Sequence, residues 1–178
     1  MTPIEALPTV DLRKSKEGDA QAGSPSLLGR ALRLLLPLVK LRSQLRGISL
    51  GVRVCVRDEV GRILLIRHSY LPGWHFPGGG VEFGETATEA ARRELIEEGG
   101  VELIAPPRLV GLFRNPEWTG GDHVAFFEAG AWKPCGRQWG VEIEAAAFFP
   151  QDDLPPDVHH SVRRRLAERA GQPVDAIW

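Results

Sequence analysis

Between Gly79 and Val101 the chain reads GGVEFGETATEAARRELIEEGGV, and this stretch restricts the fold more than any other. Glycines at both ends bracket a run with helical spacing. Ala87, Ala90, Ala91 and Leu95 form an apolar stripe, which predicts a helix over 86–98. On that helix Glu94, Glu97 and Glu98 stand at i, i+3 and i+4, positions that share a face. Like charges so placed destabilise an isolated helix by about a few tenths of a kcal/mol per pair. A solvated acidic face accounts for most helices of this kind. Here, however, Pro77-Gly78-Gly79-Gly80 comes just before, and glycines let backbone approach whatever the carboxylates hold. A divalent cation resolves the repulsion, because hard ions such as Mg2+ take oxygen ligands from carboxylates, phosphates and water. Without the ion such a cluster should have raised carboxyl pKa values, and the ion would reverse that.

Around this helix the pattern alternates between strands and loops. ISLGVRVCVRD and RILLIRH, joined by a turn at Asp58 to Gly61, read as a hairpin. RLVGLFR, HVAFFEAGAW and EIEAAAFF read as further strands, and PPDVHHSVRRRLAERAG as a last helix with Asp157 as N-cap and Gly171 as stop. Strands flanking a central helix, with another helix at the end, imply an α/β (α+β) fold with a mixed sheet between helical layers. Three regions follow: a flexible polar tail over 1–25, a basic leucine-rich segment over 26–47 kinked at Pro37, and a domain over 48–178.

The chain has 178 residues, enough for one domain with a proper core, and a formal net charge of −1 that favours neither nucleic acid nor a membrane as partner. Two cysteines, Cys55 and Cys135, give no disulfide framework, and Cys55 lies in an apolar run. No basic-then-apolar leader opens the sequence, and no apolar run approaches the roughly 20 residues of a membrane span. A reducing, cytoplasmic setting is the expectation.

The glutamate stretch resembles the Nudix box, the signature of hydrolases that act on nucleoside diphosphates linked to another moiety. Gly79, Glu85, Arg93, Glu94, Leu95, Glu97, Glu98, Gly100 and Val101 fill its defined slots in register, and the flanking strand pattern extends the resemblance to about residues 48 to 170. It implies a Nudix-type α/β/α sandwich and a Mg2+-dependent hydrolase, with Mn2+ as the alternative ion. Carried over slot by slot, Glu97 and Glu98 are metal ligands and Glu94 a ligand or the base. Gly78 offers a carbonyl to the ion, Arg93 orients a catalytic glutamate, and Glu85 pins the loop to the helix. Gly79 and Gly100 are structural. Arg93 and Glu85 could equally be a helix-surface pair worth little. A further acidic residue from outside the box acts as base or ligand in many members. Glu142 and Glu144 both qualify, with Glu142 in the more regular slot.

Specificity is harder to read. Arg67 could meet a phosphate, and Trp74 could stack a base or pack in the core. Pro116, sixteen residues after Gly100, resembles the spacing in ADP-ribose pyrophosphatases, which puts sugar-linked nucleoside diphosphates slightly ahead of nucleoside triphosphates. His159 and His160 have no partner at metal-ligand spacing, so zinc is not expected. Arg30, Arg33, Lys40, Arg42 and Arg46 belong to a segment that suits packing or a homodimer better than peripheral membrane contact. A non-catalytic nucleotide-binding regulator is the competing class, and the intact box speaks against it.

Overall fold

The computed structural model describes residues 48–117, 121–136 and 142–178. The tail and the basic segment over 1–47 lie outside them. Three sheets form among the described residues. β1 (Ser49–Cys55), β6 (Asp122–Glu128) and β5 (Arg108–Arg114) make the first, with β1 and β6 parallel and β6 and β5 antiparallel. β3 (Trp74–His75), β2 (Ile63–His68) and β8 (Ile143–Phe149) make the second, and β4 (Val101–Leu103) pairs with β7 (Trp132–Pro134).

The two-residue period of the strands sorts their side chains into two cores. Val52, Val54, Leu64, Ala125 and Phe127 pack with Ala90, Ala91 and Leu95 of α1 (Ala87–Glu94) and the turn that follows it. The intervening Cys55, Ile63, Leu65, Val124 and Phe126 pack with Val162 and Leu166 of α2 (His160–Arg169). Sheet strands therefore lie between two helical layers, as the alternation in the sequence implied. Burying a side chain such as Leu95 fully contributes roughly 1.5–3 kcal/mol. The last residues close the second core. The Arg114 amide at the end of β5 donates to the Ala176 carbonyl and its carbonyl accepts from the Trp178 amide, and the fully buried Arg165 lies over the rings of Phe113 and Trp178.

Three local expectations are corrected. β1 and β2 do not form a hairpin: β1 takes β6 as its partner, and only a bridge between Arg57 and Ile63 links the two at the turn. The N-cap of α2 is His159, whose ring accepts from the Ser161 amide, while Asp157 is drawn away to Arg67. The box helix is also not uniform. After Glu94 it widens into a π-helical turn, Leu95–Gly99, and stops at Gly100 with φ 62°, a left-handed conformation that glycine adopts readily. Its start is fixed by a capping box: Thr86 Oγ1 accepts from the Glu89 amide and Glu89 accepts from the Thr86 amide. The spelling Thr86-Ala87-Thr88-Glu89 carries that signature. Cys55 is buried, and burial pushes its thiol up to about 11, so it is a core residue as expected.

Candidate active site

A cavity of about 840 Å³ opens where the glycine loop crosses β1. The loop is bonded to the strand: Val52 and Val54 donate to the carbonyls of Gly79 and Pro77, and Val81 donates to Leu50. This close crossing is why the loop needs glycine. A Cβ on Gly78, whose φ is 141°, would run into the backbone of Val52 and Arg53. A Cβ on Gly79 would come within 2.5 Å of the Glu94 carboxylate.

Glu94 and Glu98 line the cavity and are both buried. Oε2 of Glu98 accepts from the Gly78 amide at 2.7 Å. Burial pushes Glu98 up to about 8, against partial relief from Arg53 and that amide, and it raises Glu94 as well. The direction matches the expectation for a carboxylate cluster, but desolvation is the principal cause. Glu97 separates from its neighbours. It is not on the cavity wall, its side chain is 42% exposed, and it meets Arg93 at 3.3 Å.

Arg93 uses its whole guanidinium. It bonds both oxygens of Glu85 at 2.9 and 3.0 Å, Oε1 of Glu94 at 2.7 Å and the Gly80 carbonyl at 3.0 Å. Helix, loop and cavity wall meet in this one side chain. Glu85 in turn caps its own turn by accepting from the Glu82 amide.

Other sequence-predicted residues divide. Glu142 lines the cavity and Glu144 does not, because the β2–β8 ladder slips a residue: His68 faces Ile143, yet Arg67 faces Ala145. The Gly78 carbonyl accepts from Arg53, and its amide donates to Glu98. Arg67 and Trp74 are absent from the cavity wall. Arg67 pairs with Asp157 and lies 5.0 Å from the Trp74 ring, which packs edge-on to Phe149.

Two further contributors carry no motif. Arg53, the one arginine among the described lining residues, which include no lysine, donates to the carbonyls of Phe76 and Gly78 and eases the charge on Glu98. A cation inside an otherwise apolar strand pattern was its one sequence signal. Tyr70 also lines the cavity, with burial and nearby Glu142 and Glu98 raising its phenol to about 12. His68 lies 3.7 Å from Glu98, but burial lowers it to about 3. It is neutral, too far for a hydrogen bond, and no ion pair forms.

The donor set fits a hard divalent cation. Glu94 and Glu98 are two of the buried carboxylates on the cavity wall, and where they meet the glycine loop they offer oxygen donors.

The NUDIX domain model matches residues 48–170, and the chain belongs to the NUDIX family. It is 37% identical over 76 residues to the "Putative 8-oxo-dGTP diphosphatase" of Bacillus subtilis, covering 43% of this chain and 50% of that one. It is 30% identical over 134 residues to the human "8-oxo-dGDP phosphatase NUDT18", covering 75% and 41% respectively. The chain thus spans about half the length of the curated relatives it matches. Among solved structures, the MutT NUDIX hydrolase of Burkholderia pseudomallei superposes with a TM-score of 0.58 at 28% identity, covering 67% of this chain and 95% of that one. No helix of the described residues is long and apolar enough to cross a membrane.

Proposed function

We propose that this chain is a Mg2+-dependent hydrolase, with Mn2+ as the alternative ion, that cleaves a phosphoanhydride bond in a small nucleotide. The observation that carries the reading is the pair of buried carboxylates, Glu94 and Glu98, on the wall of a cavity large enough for a nucleotide. Glu94 and Glu98 would hold the ion, joined by Glu97 if it turns from Arg93 toward the cavity, and the ion when bound would screen phosphate charge and make its water more acidic. Arg93 holds the Glu94 carboxylate in place and ties it through Glu85 and Gly80 to the loop. Arg53 fixes the loop carbonyls and places positive charge beside the site. Glu142, immediately before β8, is the group proposed to take the proton from the attacking water at its carboxylate oxygen.

Free nucleoside di- or triphosphates are the first reading, supported by the names of the 8-oxo-dGTP diphosphatase and 8-oxo-dGDP phosphatase relatives, although other relatives are named as an ADP-ribose pyrophosphatase and RNA pyrophosphohydrolases. A sugar-linked nucleoside diphosphate, including ADP-ribose, is the second reading. It is favoured by Pro116, which stands between Asn115 and Glu117 on the cavity wall. A cytoplasmic setting, and the division into a tail over 1–25, a basic segment over 26–47 and a domain over 48–178, belong to the same proposal. The domain boundary is supported by the family match beginning at residue 48 and by the docking of Trp178 in the core.

The test is product analysis by phosphorus NMR in Mg2+ with nucleoside diphosphates, nucleoside triphosphates, nucleoside diphosphate sugars and ADP-ribose, using Glu98→Gln as control. Release of a nucleoside monophosphate or of phosphate, lost in the variant, supports the reading and ranks the substrates. Intact substrates with Mg2+ bound would move the assignment to a binding protein.

A further inference from the structure

Three side chains that the reaction does not use converge at the rim of the cavity. His159 and His160 begin α2, and Glu117 follows β5, forty-three residues before His160. His160 Nε2 lies 2.6 Å from one oxygen of Glu117, and His159 Nε2 lies 3.3 Å from the other. One ligand atom from each residue lies within 4.8 Å of the other two. Consecutive residues present their rings side by side, centroids 4.3 Å apart, because His159 is still extended as N-cap while His160 is already helical. The sequence offered no third ligand near these histidines; the fold brings one from a distant loop.

Two imidazoles hydrogen-bonded to one carboxylate could be merely a surface cluster. Two features distinguish this one. The orientation of the His159 ring is set from behind: its Nδ1 lies 2.8 Å from the hydroxyl of Ser161, which is buried. A hydroxyl can donate or accept. With Nδ1 carrying the proton and the Ser161 hydroxyl accepting it, the Nε2 lone pair is freed, at the cost of the long 3.4 Å cap bond that Nδ1 otherwise accepts from the Ser161 amide. This is the arrangement by which a metal-bound histidine is held through its other nitrogen. The cluster is also open. Glu117 and His159 line the cavity, and the Glu117 and His160 side chains are about half exposed, which leaves coordination positions for water or an anion.

We propose that Glu117, His159 and His160 bind a divalent transition-metal ion such as Zn2+ at the cavity rim, with free positions for an anionic ligand such as phosphate. Two nitrogens and one oxygen select this class over Mg2+, whereas the oxygen-only glutamate wall selects the reverse. The two sites are separate. The His159 ring adjoins His75, His75 adjoins His68, and His68 adjoins Glu98, so two further imidazoles stand between them. His75 is not a fourth ligand through Nε2, which is bonded to the Pro72 carbonyl. The proposal stands whether or not the hydrolase reading does.

Zn2+ titration calorimetry in excess Mg2+, with Co2+ absorption as a report on ligand type, tests this on the full chain and on Glu117→Gln, His160→Gln and Glu98→Gln. One Zn2+ per chain is expected, with Co2+ bands of a nitrogen-containing site of low coordination number. Affinity should be retained in Glu98→Gln and weakened at least about tenfold in each of the other two. Because Glu117 and His160 are exposed, those variants keep the fold, and circular dichroism verifies it. No Zn2+ binding by the wild type, equal affinity in Glu117→Gln and His160→Gln, or loss in Glu98→Gln alone would each overturn the assignment.

Discussion

Gly78 and Glu98, twenty residues apart, are joined by a 2.7 Å hydrogen bond from the loop amide to a buried carboxylate. The neighbouring glycine has a different task, and two substitutions separate them. Gly78→Ala places a Cβ into the backbone of Val52 and Arg53 at a φ that side chains avoid, and should destabilise by on the order of 3 kcal/mol or more. Gly79→Ala meets a side chain instead and displaces the Glu94 carboxylate. It should cost about 1 kcal/mol or less yet slow turnover about 10–100-fold. Urea denaturation beside steady-state rates checks both; equal stability losses would refute the division.

Glu98 should write its burial into the pH dependence of stability. Its folded pKa is raised from 4.5 to about 8, so the unfolded chain ionises first as pH rises. Between those values the unfolded state binds fewer protons, and the metal-free protein loses stability with increasing pH. Glu98→Gln removes this contribution. Denaturation midpoints in chelator should therefore show the variant gaining on the wild type from pH 5 to pH 8, and parallel curves would contradict the raised pKa.

Arg93→Lys retains the charge but cannot span both oxygens of Glu85 while reaching Glu94 and Gly80. Turnover should fall about 10–100-fold with a stability change of about 1 kcal/mol or less, because the ion pairs are partly solvated. A rate within twofold of wild type would return Arg93 to the status of a surface pair.

Glu142 and Glu144 make an internal control. Glu142→Gln should lower kcat by about 10²-fold or more if it accepts the proton, with KM little changed, while Glu144→Gln should stay within about twofold. Equal effects would show that the ladder slip does not sort the two carboxylates.

Much of this was legible in the residues. The spacing of Ala87, Ala90, Ala91 and Leu95 announced α1, and the filled box slots announced the family and the glutamate wall. What escaped depends on distance in sequence or on burial. The β1–β6 pairing, the meeting of Arg53 with Gly78 and the approach of Glu117 to His159 and His160 each join segments that no local pattern links. Glu94, Glu97 and Glu98 look equivalent on an ideal helix; the solvent they lose distinguishes them, and only packing determines that. Asp157 is a good capping residue by type, but Arg67 competes for it.

The seam between the glycine loop and β1 also makes the backbone a built-in gauge. The amide protons of Val52 and Val54 are held by the carbonyls of Gly79 and Pro77 while the seam is shut. Their exchange with deuterium therefore times how often the loop lifts from the strand, and slowing of those two amides on ligand addition would register occupancy without any turnover.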